Sequence, residues 1–266
     1  MIGSILASAT FEPPSTKDFV YACWGPGVRI FGLSFCYNFV LFLITLTTII
    51  VLALFFFAFR KPKVVPGKFQ VLMELGVQFV REQIAEPMLG NHAPSFLPLL
   101  ASFFFFILVA NMFEVAPGFS FAATSRVAFP LVLATVSWFT YNGVGIRKHG
   151  FFGYLRHTTI IPAAPAILRY GLLMPIEFVS NIIVRPITLT VRLTANFVAG
   201  HFLLAIFFLG TVFFLKDGPK TWIFAAFSFP LALALVGLEI FVAVLQAFIF
   251  AVLSASYIGQ AMAEEH

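Results

Sequence analysis

Charge is what this chain has least of: Asp, Glu, Lys and Arg make up 10% of its 266 residues, against 61% hydrophobic residues. That leaves too little polar surface to cover a soluble globule of this size. The cysteines, Cys23 and Cys36, and the five histidines at 92, 149, 157, 201 and 266 show no metal-ligand spacing. A disulfide between the two cysteines stays open. There is no G-x-x-x-x-G-K-[ST] phosphate loop and no G-x-G-x-x-G after a strand, so no nucleotide or other cofactor is expected on this chain, and no catalytic nucleotide chemistry of its own. No internal repeat is evident, which counts against a transporter built from duplicated halves. Met1 to Phe11 lacks the positive flank of a cleaved secretory signal, and most of it is expected to be retained.

What the chain has is long apolar runs. Its mean hydropathy is +1.00, and 37 of its residues are phenylalanine. Ile30 to Phe59, Ser95 to Phe113 and Val127 to Ile146 carry no charge, and each is long enough to span a hydrocarbon core of about 30 Å. Leu193 to Leu215 carries only His201, and Thr221 to Ala263 only Glu239. The expectation is an all-α polytopic membrane protein of about five to six membrane helices. Residues 1–29 form an outer-side segment and 30–266 a single membrane domain, with helices near 30–59, 67–89, 95–115, 127–146, 166–215 and 221–262.

The basic residues set the expected orientation. Arg60, Lys61, Lys63 and Lys68 follow the first span, and Arg147, Lys148, Arg156 and Arg169 follow the third. Positive loops stay inside, which places the amino terminus outside and Ala263-Glu264-Glu265-His266 in the cytoplasm. The net charge of +5 is accounted for by these loops and gives no support to nucleic-acid binding.

Two segments depart from ordinary spans. Thr221 to Ala263 would make a helix of about 65 Å, roughly twice the hydrocarbon thickness, and Ala166 to Leu215 is similarly long. A long, tilted helical hairpin is the simplest account, with Pro175, Pro186, Pro230, Gly237 and Gly259 as bending points. Gly67 to Leu89 gathers Phe69, Leu72, Met73, Gly76, Val80, Ile84 and Met88 near one stripe and reads as a cytoplasmic interfacial helix.

Inside these runs a few polar groups share faces. Arg192 cannot shed its proton, so in lipid it must be paired, and an intramembrane arginine is a functional-site hypothesis by default. Thr188, Arg192, Asn196 and Ala199 fall on one helical face. His201 lies about 13 Å further along and about half a turn out of phase. Glu239, Gln246 and Tyr257, spaced seven and eleven, form a polar seam on the last helix. Each has a plainer reading: Asn196, Gln246 and Tyr257 as helix-to-helix hydrogen bonds, Thr188 as backbone-satisfied, His201 and Glu239 as packed or paired, and Arg192 as one half of a salt bridge within the chain. Asn111 and Glu114 sit at the outer end of the second span, where a solvated boundary residue is the common explanation.

Pro186-Ile-Thr-Leu-Thr-Val-Arg192-Leu-Thr-Ala-Asn196-Phe-Val-Ala-Gly-His201, with Gly237-Leu-Glu239 through Gln246 to Ser256-Tyr257, closely resembles subunit a of the rotary F-type ATP synthase. The likeness extends to Asn111-Met-Phe-Glu114-Val-Ala-Pro117 and Pro175-Ile-Glu177, and so covers about Pro66 to His266. The resemblance implies a stator beside a rotating ring of c subunits, each with a mid-membrane carboxylate, so that the anion meeting Arg192 comes from the ring. It implies proton entry past Asn111, Glu114, His201 and Glu239, lined by Asn196 and Gln246. An inner exit near Glu177 and Thr188 is the expectation for the other half-channel, and Tyr257 is counted among the channel residues. This chain looks like the family variant with histidine at 201 and glutamate at 239. The implied partners are the c-ring, peripheral-stalk b subunits contacting the Gly67 to Leu89 helix, the soluble ATPase sector through the assembled complex, and the lipid bilayer. The carboxyl-terminal sequence suggests a bacterial plasma membrane. Two other classes stay open: a secondary transporter or channel using Arg192 for an anionic substrate, and a purely structural membrane subunit.

Overall fold

The computed structural model describes residues 28–30, 33–35, 38–60, 67–115, 128–159 and 173–263. Cys23, Cys36 and the acidic carboxyl end lie outside the described residues, as do the side chains of Glu114 and His157. The fold is all-α apart from a hairpin of two three-residue strands, β1 (Val28–Ile30) and β2 (Leu33–Phe35), paired antiparallel with Arg29 opposite Ser34. Among the described residues five helical stretches are long and apolar enough to cross a membrane, and the protein is a polytopic membrane protein.

The first helix, α1 (Phe39–Phe59), starts later than the uncharged run does. Asn38 decides the boundary: its backbone is extended, at φ −127°, and its Oδ1 accepts the Leu41 N–H at 3.1 Å. This amide satisfies one of the donors that a helix start leaves open. Within α1 the hydroxyls of Thr45, Thr47 and Thr48 donate to the carbonyls four residues back, at 2.8 Å in each case. No side-chain donor is therefore left bare in lipid.

The amphipathic segment forms α2 (Lys68–Val80), a π turn (Arg81–Ala85) and α3 (Glu86–Leu89), and the chain then reverses at Gly90, whose φ is +52°. Glycine takes that conformation without the steric cost of a side chain. The reversal lays α2 back along α4 (Ala93–Val115): Gly76 faces Phe105, and Phe79 packs on Phe104 and on Phe248 from the last helix. Its polar residues pair along the exposed edge, Gln70 to Glu74, Gln78 to Glu82 and Arg81 to Glu86, at 2.6 to 2.8 Å.

α5 (Ala128–His149) ends in Arg147, Lys148 and His149, and after a left-handed turn at Gly150 a short helix, α6 (Phe151–Thr159), follows. The closing hairpin is α7 (Met174–Val179), a π turn (Ser180–Val184) and α8 (Arg185–Lys216), then α9 (Trp222–Met262). The stretch Met174–Lys216 has 43 residues and α9 has 41, each about twice as long as a perpendicular span requires. A strong tilt in the bilayer follows. Thr221 stitches the turn between α8 and α9, its hydroxyl lying 2.8 Å from the carbonyl oxygens of both Phe214 and Gly218, either of which can accept its proton.

α9 is the spine of the bundle and packs against α4, α5 and α8. Its buried positions are mostly small: Ala225, Ala232, Ala243, Ala247, Ala251, Ser254, Ala255 and Ala261. Small side chains let helices approach closely where no hydrophobic effect drives them together. At Gly259 even an added Cβ would lie 2.5 Å from the Met88 carbonyl oxygen. The outward surfaces are apolar, with Phe57, Phe139 and Phe227 all exposed, as a lipid-facing surface requires.

Candidate functional site

The site is built on the α8/α9 hairpin around Arg192. Along α8, Leu189, Leu193, Phe197 and Gly200 point inward and are buried, whereas Ile187, Thr188, Val191, Arg192, Ala195 and Ala199 are exposed. The neighbouring outward positions of α9 are Leu238, Phe241, Val244 and Leu245, also exposed. One guanidinium therefore stands on a face that is otherwise apolar except for Thr188. Among the described residues no carboxylate lies within salt-bridge reach, 4.0 Å, of Arg192. An arginine cannot escape desolvation by losing its proton, so a charge placed this way is suited to an anion from outside the chain.

The backbone beneath the arginine is held from the other helix. Gln246, 6% exposed, donates through Nε2 to the Arg192 carbonyl oxygen at 2.9 Å. That carbonyl has a second lone pair beyond the helical bond, so a cross-helix donor engages it without breaking α8.

The remaining polar residues fall into two groups on opposite sides of Arg192 along α8. Toward the α8/α9 turn, Asn111 from α4, Asn196 from α8 and Glu239 from α9 line one small cleft with Leu193, Phe197 and Ala243. Asn111 and Glu239 are each 7% exposed, which places an amide and a carboxylate in the interior of an apolar bundle. Glu239 lies against Gly200: a Cβ there would overlap the carboxylate, 2.5 Å from its Cδ. Only glycine leaves that space. His201 follows directly and stacks on Phe197, with ring centroids 5.7 Å apart at 23°, so a ring that lines the cleft also carries the imidazole.

Toward the other end, Arg185 lies seven residues, about 10 Å, before Arg192. Its guanidinium sits 4.5 Å from the centre of the Tyr257 ring, a cation–π contact, and donates to Gln260 Oε1 at 2.9 Å. Tyr257 meets Tyr141 edge to face at 5.6 Å. The π turn lies beside this group. Its wide hydrogen bonding exposes two carbonyls, and α5 covers both: Tyr141 Oη donates to Asn181 O at 2.7 Å and Trp138 Nε1 to Ile182 O at 3.0 Å. Asn181, 3% exposed, donates through Nδ2 to Thr158 O and to Glu177 Oε2, at 3.2 and 3.4 Å. Its Oδ1 is buried with no hydrogen-bond partner among the described residues.

The residues singled out by sequence thus separate as follows. Asn111, Asn196 and Glu239 share the cleft, His201 adjoins it, and Gln246 clamps the backbone at Arg192. Glu177 and Tyr257 lie with the Arg185 and Asn181 group. Thr188 donates to the Arg185 carbonyl at 2.9 Å and is exposed on the Arg192 face. Sequence reasoning missed Arg185, Asn181, Tyr141 and Gln260. The seven-residue interval between Arg185 and Arg192 was the available signal for the first; the others owe their place to the π turn and to helix pairing.

These features define a multi-pass membrane protein whose two longest helices carry, between two polar clusters, an arginine with no carboxylate partner among the described residues. Residues 40–259 match the ATP synthase A chain family. The chain is 39% identical to ATP synthase subunit a of Rhodococcus erythropolis over 98% of its own length and 94% of that protein's. It is 38% identical to ATP synthase subunit a of Nocardioides, covering 96% and 95% of the two chains, and 45% identical to that of Parafrankia, covering 77% and 68%. The chain belongs to the ATP synthase A chain family. Membership places it in a multisubunit ATP synthase complex, and these relatives are bacterial.

Proposed function

We propose that the chain is the stator subunit a of the Fo sector, carrying protons through two offset half-channels to and from the carboxylates of a rotating c-ring. The observation that carries this reading is Arg192, exposed on a largely apolar helix face with no carboxylate beside it among the described residues. A carboxylate of the ring supplies the missing anion. Beside the guanidinium that carboxylate is held ionised, which drives its proton off on the exit side. The fixed cation also bars a direct proton leak between the half-channels.

Protons enter from outside past Glu114 and Asn111, through the cleft with Asn196 and Glu239, with His201 as the neighbouring relay. Imidazole suits this work because its ordinary pKa, near 6.5, lies in the physiological range. They leave toward the cytoplasm by way of Thr188, Tyr257, Asn181 and Glu177. The offset of the two clusters on either side of Arg192 supports this division, because a proton loaded at one reaches the other only by riding the ring. One proton crossing 100 mV releases about 2.3 kcal/mol, so several must be summed mechanically to make one ATP. Peripheral-stalk b subunits contact α2, the amino terminus is outside, the carboxyl terminus is cytoplasmic, and the membrane is a bacterial plasma membrane.

The test is ATP-driven acidification of inverted vesicles carrying the intact chain or Arg192→Ala, with assembly checked by native gel. The expected result is an assembled complex that hydrolyses ATP without pumping. An assembled variant that pumps normally would overturn the reading.

A further inference from the structure

We infer that α6 is a lipid-binding element, whose outer face seats in the bilayer boundary and recognises anionic phospholipid headgroups through Arg147 and Arg156. The inference rests on the chain's being a membrane protein and is independent of the proton path.

α6 follows the basic end of a membrane-crossing helix with only Gly150 between them, so it must lie close to the membrane surface. Its inner face is pinned. Tyr154 is buried against Gly145, where no side chain would fit, and its hydroxyl donates to Asn142 Oδ1 at 3.1 Å. The Thr158 carbonyl accepts from Asn181 at 3.2 Å, tying the far end of α6 to the π turn.

With that face fixed, the opposite face is held outward. Phe151 is 57% exposed and Phe152 83%, the two rings meeting edge to face at 5.5 Å. Arg156 lies one turn beyond Phe152, on the same side of the helix, and it too is exposed, as is Arg147 at the end of α5. Neither guanidinium has a hydrogen-bond acceptor or carboxylate partner among the described residues.

Two rings held in the open beside two unpaired guanidinia do not suit water. They suit the boundary of a bilayer, where aromatic rings enter the acyl layer and arginine forks donate to phosphate oxygens two at a time. Lysine and arginine groups beside a membrane also draw anionic lipid through its negative surface potential. The charge pattern thus selects a phospholipid with net negative charge rather than a zwitterionic one.

The test uses the assembled ATP synthase with Phe152→p-benzoylphenylalanine, reconstituted in vesicles of equal phosphatidylcholine and phosphatidylglycerol. After irradiation, the adducts on the chain are identified by mass. The expected result is phospholipid adducts enriched in phosphatidylglycerol, the enrichment falling by up to about fivefold for each of Arg147→Gln and Arg156→Gln. Phe151→p-benzoylphenylalanine provides a second reporter if the first blocks assembly. Adducts to another subunit would show that this face is a protein interface and overturn the proposal. So would the absence of adducts at both positions, or lipid adducts whose headgroup ratio ignores the arginines. None of these outcomes touches proton pumping through Arg192, so failure here is distinct from failure of the stator reading.

Discussion

The amide of Gln246 donates to the backbone carbonyl of Arg192 at 2.9 Å, across 54 residues of chain. The contact joins the two long helices at the residue whose charge faces outward, fixing the height of the guanidinium without touching it. Gln246 is thus a positioning residue, and its polarity has a use apart from lining a water path.

Gln246→Leu is expected to keep the shape of the helix interface and lose the bond. Interhelical hydrogen bonds in membranes contribute about 0.6 to 2 kcal/mol. Thermal denaturation of the purified complex should show a loss in that range, with reduced ATP-driven acidification in the same preparation. A variant that pumps poorly at unchanged stability would assign Gln246 to the proton path alone.

Gly200→Ala places a methyl group where the Glu239 carboxylate lies. Overpacking of this kind costs about 1 to 3 kcal/mol, and pumping should fall because the carboxylate is displaced from the cleft. Adding Glu239→Asp shortens the side chain by one methylene and should restore part of the lost activity. Equal activity in Gly200→Ala and the parent would show that the carboxylate has room elsewhere.

Arg185→Lys keeps a cation but loses the planar fork that both covers Tyr257 and reaches Gln260. Paired with Tyr257→Leu in a double-mutant cycle on thermal stability, it should show a coupling of about 0.5 to 2 kcal/mol. Independent effects would remove the contact from the account of how α8 and α9 are locked.

Burial raises the Tyr154 phenol above its ordinary value of 10.0. The folded state therefore holds this proton more tightly than the unfolded chain does. The resulting stability is fully present below pH 10 and is lost as pH rises from there through the folded-state value. Comparing the parent complex with Tyr154→Phe in denaturation at rising alkaline pH should give a shallower decline for the variant. Parallel curves would show that the hydroxyl titrates as it does in water.

Much of the framework was legible from composition and spacing. The uncharged runs marked out candidate spans, and the excess length of the last two helices made a tilted hairpin the simplest account, because hydrocarbon thickness and helix rise are fixed quantities. Boundaries were less legible. The run from Ile30 reads as continuous helix, yet the capping amide of Asn38 starts α1 at Phe39, and two short strands precede it. The amphipathic stripe of Gly67 to Leu89 was visible, but its fold back onto α4 depends on a left-handed residue at Gly90 that periodicity does not report. Arg192, Asn196, His201, Glu239 and Gln246 stood out because polarity is costly in lipid. Arg185 did not, because it lies near the end of an apolar run, where a basic residue is unremarkable.

The sequence by itself determined that this is a membrane protein and which few polar groups lie within its apolar runs, since both follow from transfer energies along one strand of chain. Only the tertiary structure decided that Asn111, Asn196 and Glu239 share one cleft, that Gln246 holds Arg192 by its backbone, and that Glu177 and Tyr257 lie on the opposite side of that arginine. Those relations join residues tens of positions apart. Their physical cause is the close approach of helices through alanine, serine and glycine, whose small size is evident in the sequence but whose partners are not.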